Sequence, residues 1–587
     1  MHAADPVQWQ TWGPEVLTRA RREGKLVFVS SGYFACHWCH VMQRESFRDP
    51  EVAAFLNRHV IAVKVDRELL PALDAQLLAF VSRTRGRAGW PLNVFLTPEG
   101  NPLIGVVYLP RDQFLDLARQ LQARWRKDRT ALAALAEAGM RELARPAPEP
   151  PALGPGEGSR LADGLVREAL AAADDLAGGF GHESKFPASP QLVVLLELQR
   201  RRPDPGLAAF LRLTLDQMAR LGLHDPLAGG FFRYTIDPGW HTPHFEKMLY
   251  DNAQLAEVYR RAADILGEPR YAEVSRSTLD FLLDTMADPT GGFVASLSAV
   301  DDAGVEGGYY RWSDEALGAL LTEPERQAVA IAWELAGQGG EAGALPMAAV
   351  GPTGVGARLG LRETEARVLL ESGHRKLLAA RQRRTLPRDT KLIAGWNGLA
   401  LASLARAGAA PGGERYHQAA ARLAGLLKAR LVAAEGLHRA LADGRPAGEA
   451  AFEDYAYVAA GLLAWTETSG DPAAQEIAVR LADAAWRRFR TPAGWSMGTA
   501  SGTLPLGDAE AVLPDGPTPS PSAVLLRVSL AIADRTGDEA LRRRALNALG
   551  RDYPALSESP LLHASHILLL LETGQKGTQA TGRSATD

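Results

Sequence analysis

Apolar positions along this chain follow two regimes. Over about the first 145 residues, short apolar runs alternate with stretches of helical period. Lys25 to Ser30 predicts a buried strand, and a helical stretch opens at Cys36 and runs to about Glu45. Asp49 to Asn57 predicts a second short helix, because Asp49 can cap its free N–H groups and Pro50 fits a first turn. Val60 to Val65 predicts a strand, Leu70 to Thr84 a helix and Leu92 to Thr97 a strand. Pro98 to Asn101 then predicts a tight turn, Leu103 to Tyr108 its hairpin partner and Asp112 to Arg126 an amphipathic helix. That order predicts a thioredoxin-like α/β domain over residues 1–144. Arg145 to Gly158 holds too much proline and glycine for a packed element, so 145–158 is expected to be a linker.

From Ser159 to about Thr573 the period is helical almost throughout, and a turn signature recurs. Gly178-Gly179-Phe180, Gly229-Gly230-Phe231 and Gly291-Gly292-Phe293 each follow a helix, with Glu435-Gly436-Leu437 and Ala493-Gly494-Trp495 in equivalent places. Repeats of about 50 to 60 residues suit a helix pair with its connections. The long gap after Phe293 fits two periods plus a glycine-rich insertion at Gly337 to Gly356. Six helical hairpins that cannot bury their faces singly would close into an (α/α)6 toroid over 159–573, bringing polar loop residues to one central pocket. Residues 574–587 have few apolar side chains and are expected to be disordered.

A chain of 587 residues exceeds what one core organises, in agreement with two domains. No apolar run is long enough for a membrane span, and Met1 to Trp12 has neither the basic start nor the apolar stretch of a secretory signal, so a cytoplasmic setting is expected. A net charge of −4 offers no basic footprint for nucleic acid and no polybasic membrane anchor.

The chain's two cysteines, Cys36 and Cys39, stand three apart at a predicted helix start. Unpaired N–H groups there favour a thiolate on Cys36, His37 would add to this if protonated, and Cys39 one turn on can resolve a mixed disulfide. Trp38 belongs to the same motif, and Trp90-Pro91 before a strand predicts a cis-proline loop facing the dithiol. The partners this chemistry implies are a disulfide client or a thioredoxin-type reductant. Haem attachment through Cys-x-x-Cys-His, zinc held with His40, and an inert buried pair are the competing readings. No metal or cofactor is expected.

In the helical region the densest polar and aromatic stretch is Trp240 to Asn252, with His241, His244, Glu246, Tyr250, Asp251 and Asn252 as candidates. Pro243 interrupts helix before it, so His244 to Asn252 is expected to open an inner helix with Glu246 and Tyr250 on one face. Lys185, Phe186, Asp301, Glu306, Trp396, Asn397, Glu453, Asp454 and Tyr455 complete the candidate pocket. Aromatics beside carboxylates suit a sugar ligand. Hydrolysis would set Glu246 or Asp251 against Asp301 or Asp454. Epimerisation or isomerisation would use His241 and His244 to shuttle a proton, and a binding scaffold would present a client to the dithiol. The bland alternative for each acid is a helix cap.

At these residues the chain resembles the spermatogenesis-associated protein 20 family. The motifs are Cys-His-Trp-Cys-His-Val-Met from Cys36, Glu-Ser-Phe from Glu45, Gly-Trp-Pro-Leu-Asn-Val-Phe-Leu-Thr-Pro from Gly89, Pro-His-Phe-Glu-Lys-Met-Leu-Tyr-Asp-Asn from Pro243 and Trp-Asn-Gly-Leu from Trp396, together with Lys185-Phe186-Pro187 and Asp454-Tyr455-Ala456. The resemblance implies a thioredoxin-like domain fused to a six-hairpin glycosidase-like toroid with a carbohydrate-type pocket. Three positions depart from the family pattern: Leu69-Leu70-Pro71-Ala72 replaces a charged stretch, Ala299 replaces an acid before Asp301, and Ser522 stands where an asparagine is usual.

Overall fold

The computed structural model describes residues 2–86, 88–143, 156–335, 343–499, 504 and 513–581. The amino-terminal part runs α1 (Pro14–Glu23), β1 (Leu26–Gly32), α2 (His37–Met42), α3 (Pro50–His59), β2 (Val60–Asp66), α4 (Pro71–Arg85), β3 (Leu92–Leu96), β4 (Pro102–Val106), α5 (Arg111–Lys127) and α6 (Arg129–Leu143). Its sheet has the order β2-β1-β3-β4, with β1 and β2 parallel and the last two antiparallel. Alternation along β1 explains why the whole strand is buried: Leu26 and Phe28 enter one apolar cluster with Phe95 and Phe114, whereas Val27 and Val29 enter another with Leu73 and Leu77. Asp49 caps α3 as its sequence predicts, accepting from the N–H groups of Glu51 at 3.0 Å and Val52 at 2.9 Å. The helices α1 and α6 were not anticipated, and α2 passes into a π-turn over Gln43–Phe47.

Six inner helices form the ring of the second domain: α8 (Ser189–Arg201), α10 (Leu249–Leu266), α16 (Ala394–Gly408), α18 (Phe452–Ser469), α20 (Pro521–Thr536) and α23 (Ala564–Thr581). Around them lie α7 (Glu157–Ala171), α9 (Pro205–Arg220), α11 (Pro269–Phe281), α17 (Glu414–Leu426), α19 (Pro472–Phe489) and α21 (Glu539–Arg551). Each inner helix packs on the next, α23 returns to α8, and α7 packs on α23, so the (α/α)6 toroid closes by joining its first and last helices.

The long gap does not hold two ring hairpins. It contains one, α16 with α17, preceded by α12 (Asp314–Leu320), α13 (Glu323–Ala332), α14 (Pro352–Leu359) and α15 (Glu363–Arg381). These four helices pack around their own apolar cluster of Trp312, Leu317, Val329, Val355 and Leu377, which makes them an addition to the ring. A further short helix, α22 (Tyr553–Glu558), precedes α23, which runs on to Thr581 inside the stretch expected to lack structure. Residues 582–587 and most of the expected linker, 144–155, lie outside the described residues. No helix among the described residues is long and apolar enough to cross a membrane.

Candidate functional site at the domain junction

Cys36 occupies the N-cap of α2, and its Sγ accepts from the Cys39 N–H at 3.1 Å. The pair is bonded as a disulfide, and the Trp90–Pro91 peptide is cis. Neither sulfur faces water: Cys36 is 2% exposed and Cys39 1%, within the same apolar cluster as Phe245 and Tyr250 of the ring. Burial, and then the charge of His244, hold the His37 pKa down to about 4. His37 is therefore neutral near pH 7, so the protonation on which its help to a thiolate depends is not met. His40 Nε2 faces the Phe34 carbonyl oxygen at 2.9 Å.

What covers the sulfurs is the mouth of the ring. Tyr33, at the end of the β1 segment, donates its hydroxyl to Glu246 Oε2 at 2.8 Å and accepts from Arg233, which itself lies 3.3 Å from Glu246. The Arg67 guanidinium sits 4.1 Å from the Trp90 ring centroid and 4.7 Å from that of Tyr33. His37 Nε2 is 3.4 Å from one oxygen of Glu306, and His244 Nδ1 is 3.3 Å from the other. The two imidazoles are 5.4 Å apart between centroids. Burial lowers the His244 pKa to about 4, helped by Arg233, and raises that of Glu306. A carboxylate thus lies between two neutral histidines, one from each domain, without a hydrogen bond to His244 Nδ1, and is 34% exposed at its side chain.

Behind this trio, Tyr250 stands edge-on to Trp396 with centroids 4.7 Å apart. Asp251 is fully buried, and desolvation pushes its pKa up to about 8 with Glu246 adding to the rise, so it is protonated near neutrality. Arg67 Nε, Arg233 Nε, Tyr250 OH and Asp251 Oδ2 are buried without a hydrogen-bond partner. A second tie joins the domains beside the cluster: Lys391 Nζ lies 3.1 Å from Glu68 and 3.0 Å from Asp389 and contacts Asp66, while Arg439 donates to the Glu68 carbonyl at 2.6 Å.

Several predicted pocket residues instead brace the ring's turns. Lys185 donates to Asp174 at 2.9 Å and to the Gly178 carbonyl at 2.8 Å, and Lys247 does the same for Asp225 and Gly229 at the next turn. Asn252 accepts from the Phe231 N–H at 2.6 Å and donates to the carbonyls of Phe231 and Met248. Asn397 repeats this at Phe293 and Ile393. At the Phe231 turn both glycines have positive φ, Gly229 (73°) and Gly230 (75°), and a Cβ there would meet the Ser277 carbonyl oxygen at 2.4 Å and the Phe281 ring at 2.3 Å.

Two members of the proposed carboxylate pairs, Asp454 and Asp301, are engaged locally. Asp454 accepts from the N–H groups of Gly395 and Ala451 and from Arg439, all at 2.8 Å, so it caps α16 and α18. Glu453 shares that arginine at 2.7 Å, and Tyr455 packs edge-on to Phe489. Asp301 closes its own loop through the N–H groups of Ala303 and Val305. His241 is 57% exposed beside Asp237, apart from the buried His244. Helix α10 starts at Leu249 because Lys247–Met248 pairs with Ser296–Leu297, so Glu246 precedes the helix and shares no face with Tyr250. Ser522 bonds to His566 Nε2 at 3.0 Å, yet Asp552 lies nearest that same nitrogen and all three side chains are sealed, which is no hydrolytic triad.

Sequence reasoning overlooked Tyr33, Arg67, Arg233 and Tyr234. The available signals were Arg67 inside the Val65-Asp66-Arg67-Glu68 motif and Arg233-Tyr234 directly after a glycine turn.

Residues 1–144 match the Thioredox_DsbH family model, described as a protein of unknown function, DUF255. Among solved structures, a D-mannose isomerase is similar with a TM-score of 0.44 and 12% identity, over 68% of this chain and 85% of that one. Spermatogenesis-associated protein 20 of Homo sapiens is 33% identical over 82% of this chain and 67% of its own length, and that of Mus musculus is 33% identical over 84% and 68%. The chain belongs to the spermatogenesis-associated protein 20 family.

Proposed function

We propose that this is a cytoplasmic carbohydrate-processing protein that moves a proton on its sugar at the domain junction, beside a Cys36–Cys39 couple capable of thiol–disulfide exchange. The observation that carries the reading is Glu306 held between His37 and His244, one histidine from each domain. A neutral imidazole can accept a proton, and a carboxyl group of raised pKa between the two rings can pass one on. Two guanidinium groups and the unpartnered oxygens of Tyr250 and Asp251 lie behind the trio, where opening of the junction would let them orient hydroxyls and a carbonyl. This favours epimerase or isomerase chemistry with His37 in the place first given to His241. It disfavours hydrolysis, for which the opposed carboxylates are otherwise engaged.

In the redox half, a Cys36 thiolate attacks one sulfur of a client disulfide and expels the other as a thiolate. Cys39 then attacks the mixed disulfide, so that two electrons pass to the client and the Cys36–Cys39 bond forms. A thioredoxin-type reductant restores the dithiol. Because both sulfurs are sealed, a protein client requires the domains to part.

The test is incubation of purified protein with a sugar panel in D2O, reading deuterium at the carbon beside the carbonyl by NMR. Exchange should fall about 10²-fold or more in His244→Gln and Glu306→Gln. Glycoside cleavage without exchange refutes the proton-transfer reading, and binding without turnover replaces it with a scaffold. A Cys36→Ser protein that reduces insulin as fast as wild type refutes the redox half.

A further inference from the structure

Six rings run in succession across the domain junction. Phe186 stacks on Tyr234 with centroids 4.6 Å apart, Tyr234 lies 4.9 Å from His244, and His244 lies 5.4 Å from His37. His37 then lies 5.5 Å from Trp38, and Trp38 4.8 Å from Tyr108. The middle of the row is the histidine pair with Glu306 between them, whereas Phe186 at one end is 47% exposed and Trp38, next to the other end, 42%. Tyr108 is fixed by donating its hydroxyl to Glu45 at 2.5 Å, so the Trp38 end is a held platform.

Large aromatic faces left open to water beside a polar centre mark a binding surface. A purely apolar ligand would have to desolvate Glu306, which is 34% exposed at its side chain, without replacing its bonds to water, which penalises it. A ligand that alternates stackable C–H faces with hydroxyl groups satisfies rings and polar atoms together. A single sugar unit can cover the centre but cannot also reach an aromatic platform in each domain.

From this placement we infer that the junction takes a carbohydrate chain of several units, with one stretch on Phe186 and Tyr234, one on Trp38 and Tyr108, and the unit acted on over Glu306. The inference rests on the carbohydrate reading above and adds the length of the ligand and the two residues that set it.

The experiment is calorimetric titration of the full chain with glucan and mannan series from one to six units. Affinity should rise by about tenfold or more between one and four units, the equivalent of one added stacking contact. In Trp38→Ala and in Phe186→Ala that rise should shrink, while Leu546→Ala, an exposed apolar residue on the outer wall, keeps it. Thermal melts identify a variant that has lost its fold, and because Trp38 and Phe186 lie in different domains, either one suffices. Binding of single sugars with no gain on lengthening overturns the chain inference and leaves the carbohydrate reading standing. Binding of none of the sugars overturns both, as does selective binding of unfolded peptide or single-stranded nucleic acid on the same rings.

Discussion

Replacing Tyr33 by phenylalanine deletes one hydroxyl and isolates the closure of the two domains. That hydroxyl donates to Glu246 at 2.8 Å and accepts from Arg233, so its removal takes away two charge-assisted bonds that span the junction. Such bonds are worth about 1.5–3 kcal/mol each in net terms. Arg233 already stands 3.3 Å from Glu246 and can close on it directly, recovering about half of the loss. The remaining cost is about 2 kcal/mol, equivalent to a ~30-fold larger population of parted domains. Cys36 and Cys39 are buried in one cluster with ring residues, so if parting the domains uncovers them this population can be read as the rate at which a bulky disulfide reagent labels the reduced protein. Wild type should label far more slowly than the denatured chain, and Tyr33→Phe about 30-fold faster than wild type. A native dithiol that labels at the denatured rate, or a variant indistinguishable from wild type, refutes the closure argument.

Three further outcomes follow from the buried groups. Asp251 has its pKa raised to about 8, so its contribution to stability is full below about pH 4 and is lost as pH rises towards 8; relative to Asp251→Asn, wild type should lose stability steadily across that window in denaturant melts. Burial raises the Glu68 pKa to about 7 against the pull of Lys391, which keeps Asp66 and Asp389 as partners. Glu68→Gln should therefore raise the stability of the protein relative to wild type by about 1–3 kcal/mol at pH 8, and the advantage should shrink towards pH 5. Asn397→Ala removes three buried hydrogen bonds at the Phe293 turn and should cost about 3–4 kcal/mol, measured by urea unfolding; a cost near zero would mean the turn holds itself.

Local patterns were readable wherever local forces decide the outcome. Buried strands, the Asp49 cap, the cis Trp90–Pro91 peptide and the glycine turns all depend on neighbours within a few residues. The site was only partly readable, because polar residue types do not reveal which way a side chain turns. Asn397 and Asp454 have the composition of pocket residues, yet the free N–H and carbonyl groups of nearby turns and helix starts claim them. Conversely, His37 reads as a cysteine's neighbour until a second domain places His244 beside it, and no spacing within either motif encodes that meeting.

Ring closure by α7 and α23 sets an order of events during synthesis. α7 is translated well before α23, so the ring cannot close until that later helix is made. Until then the ring whose residues share an apolar cluster with Cys36 and Cys39 is unfinished.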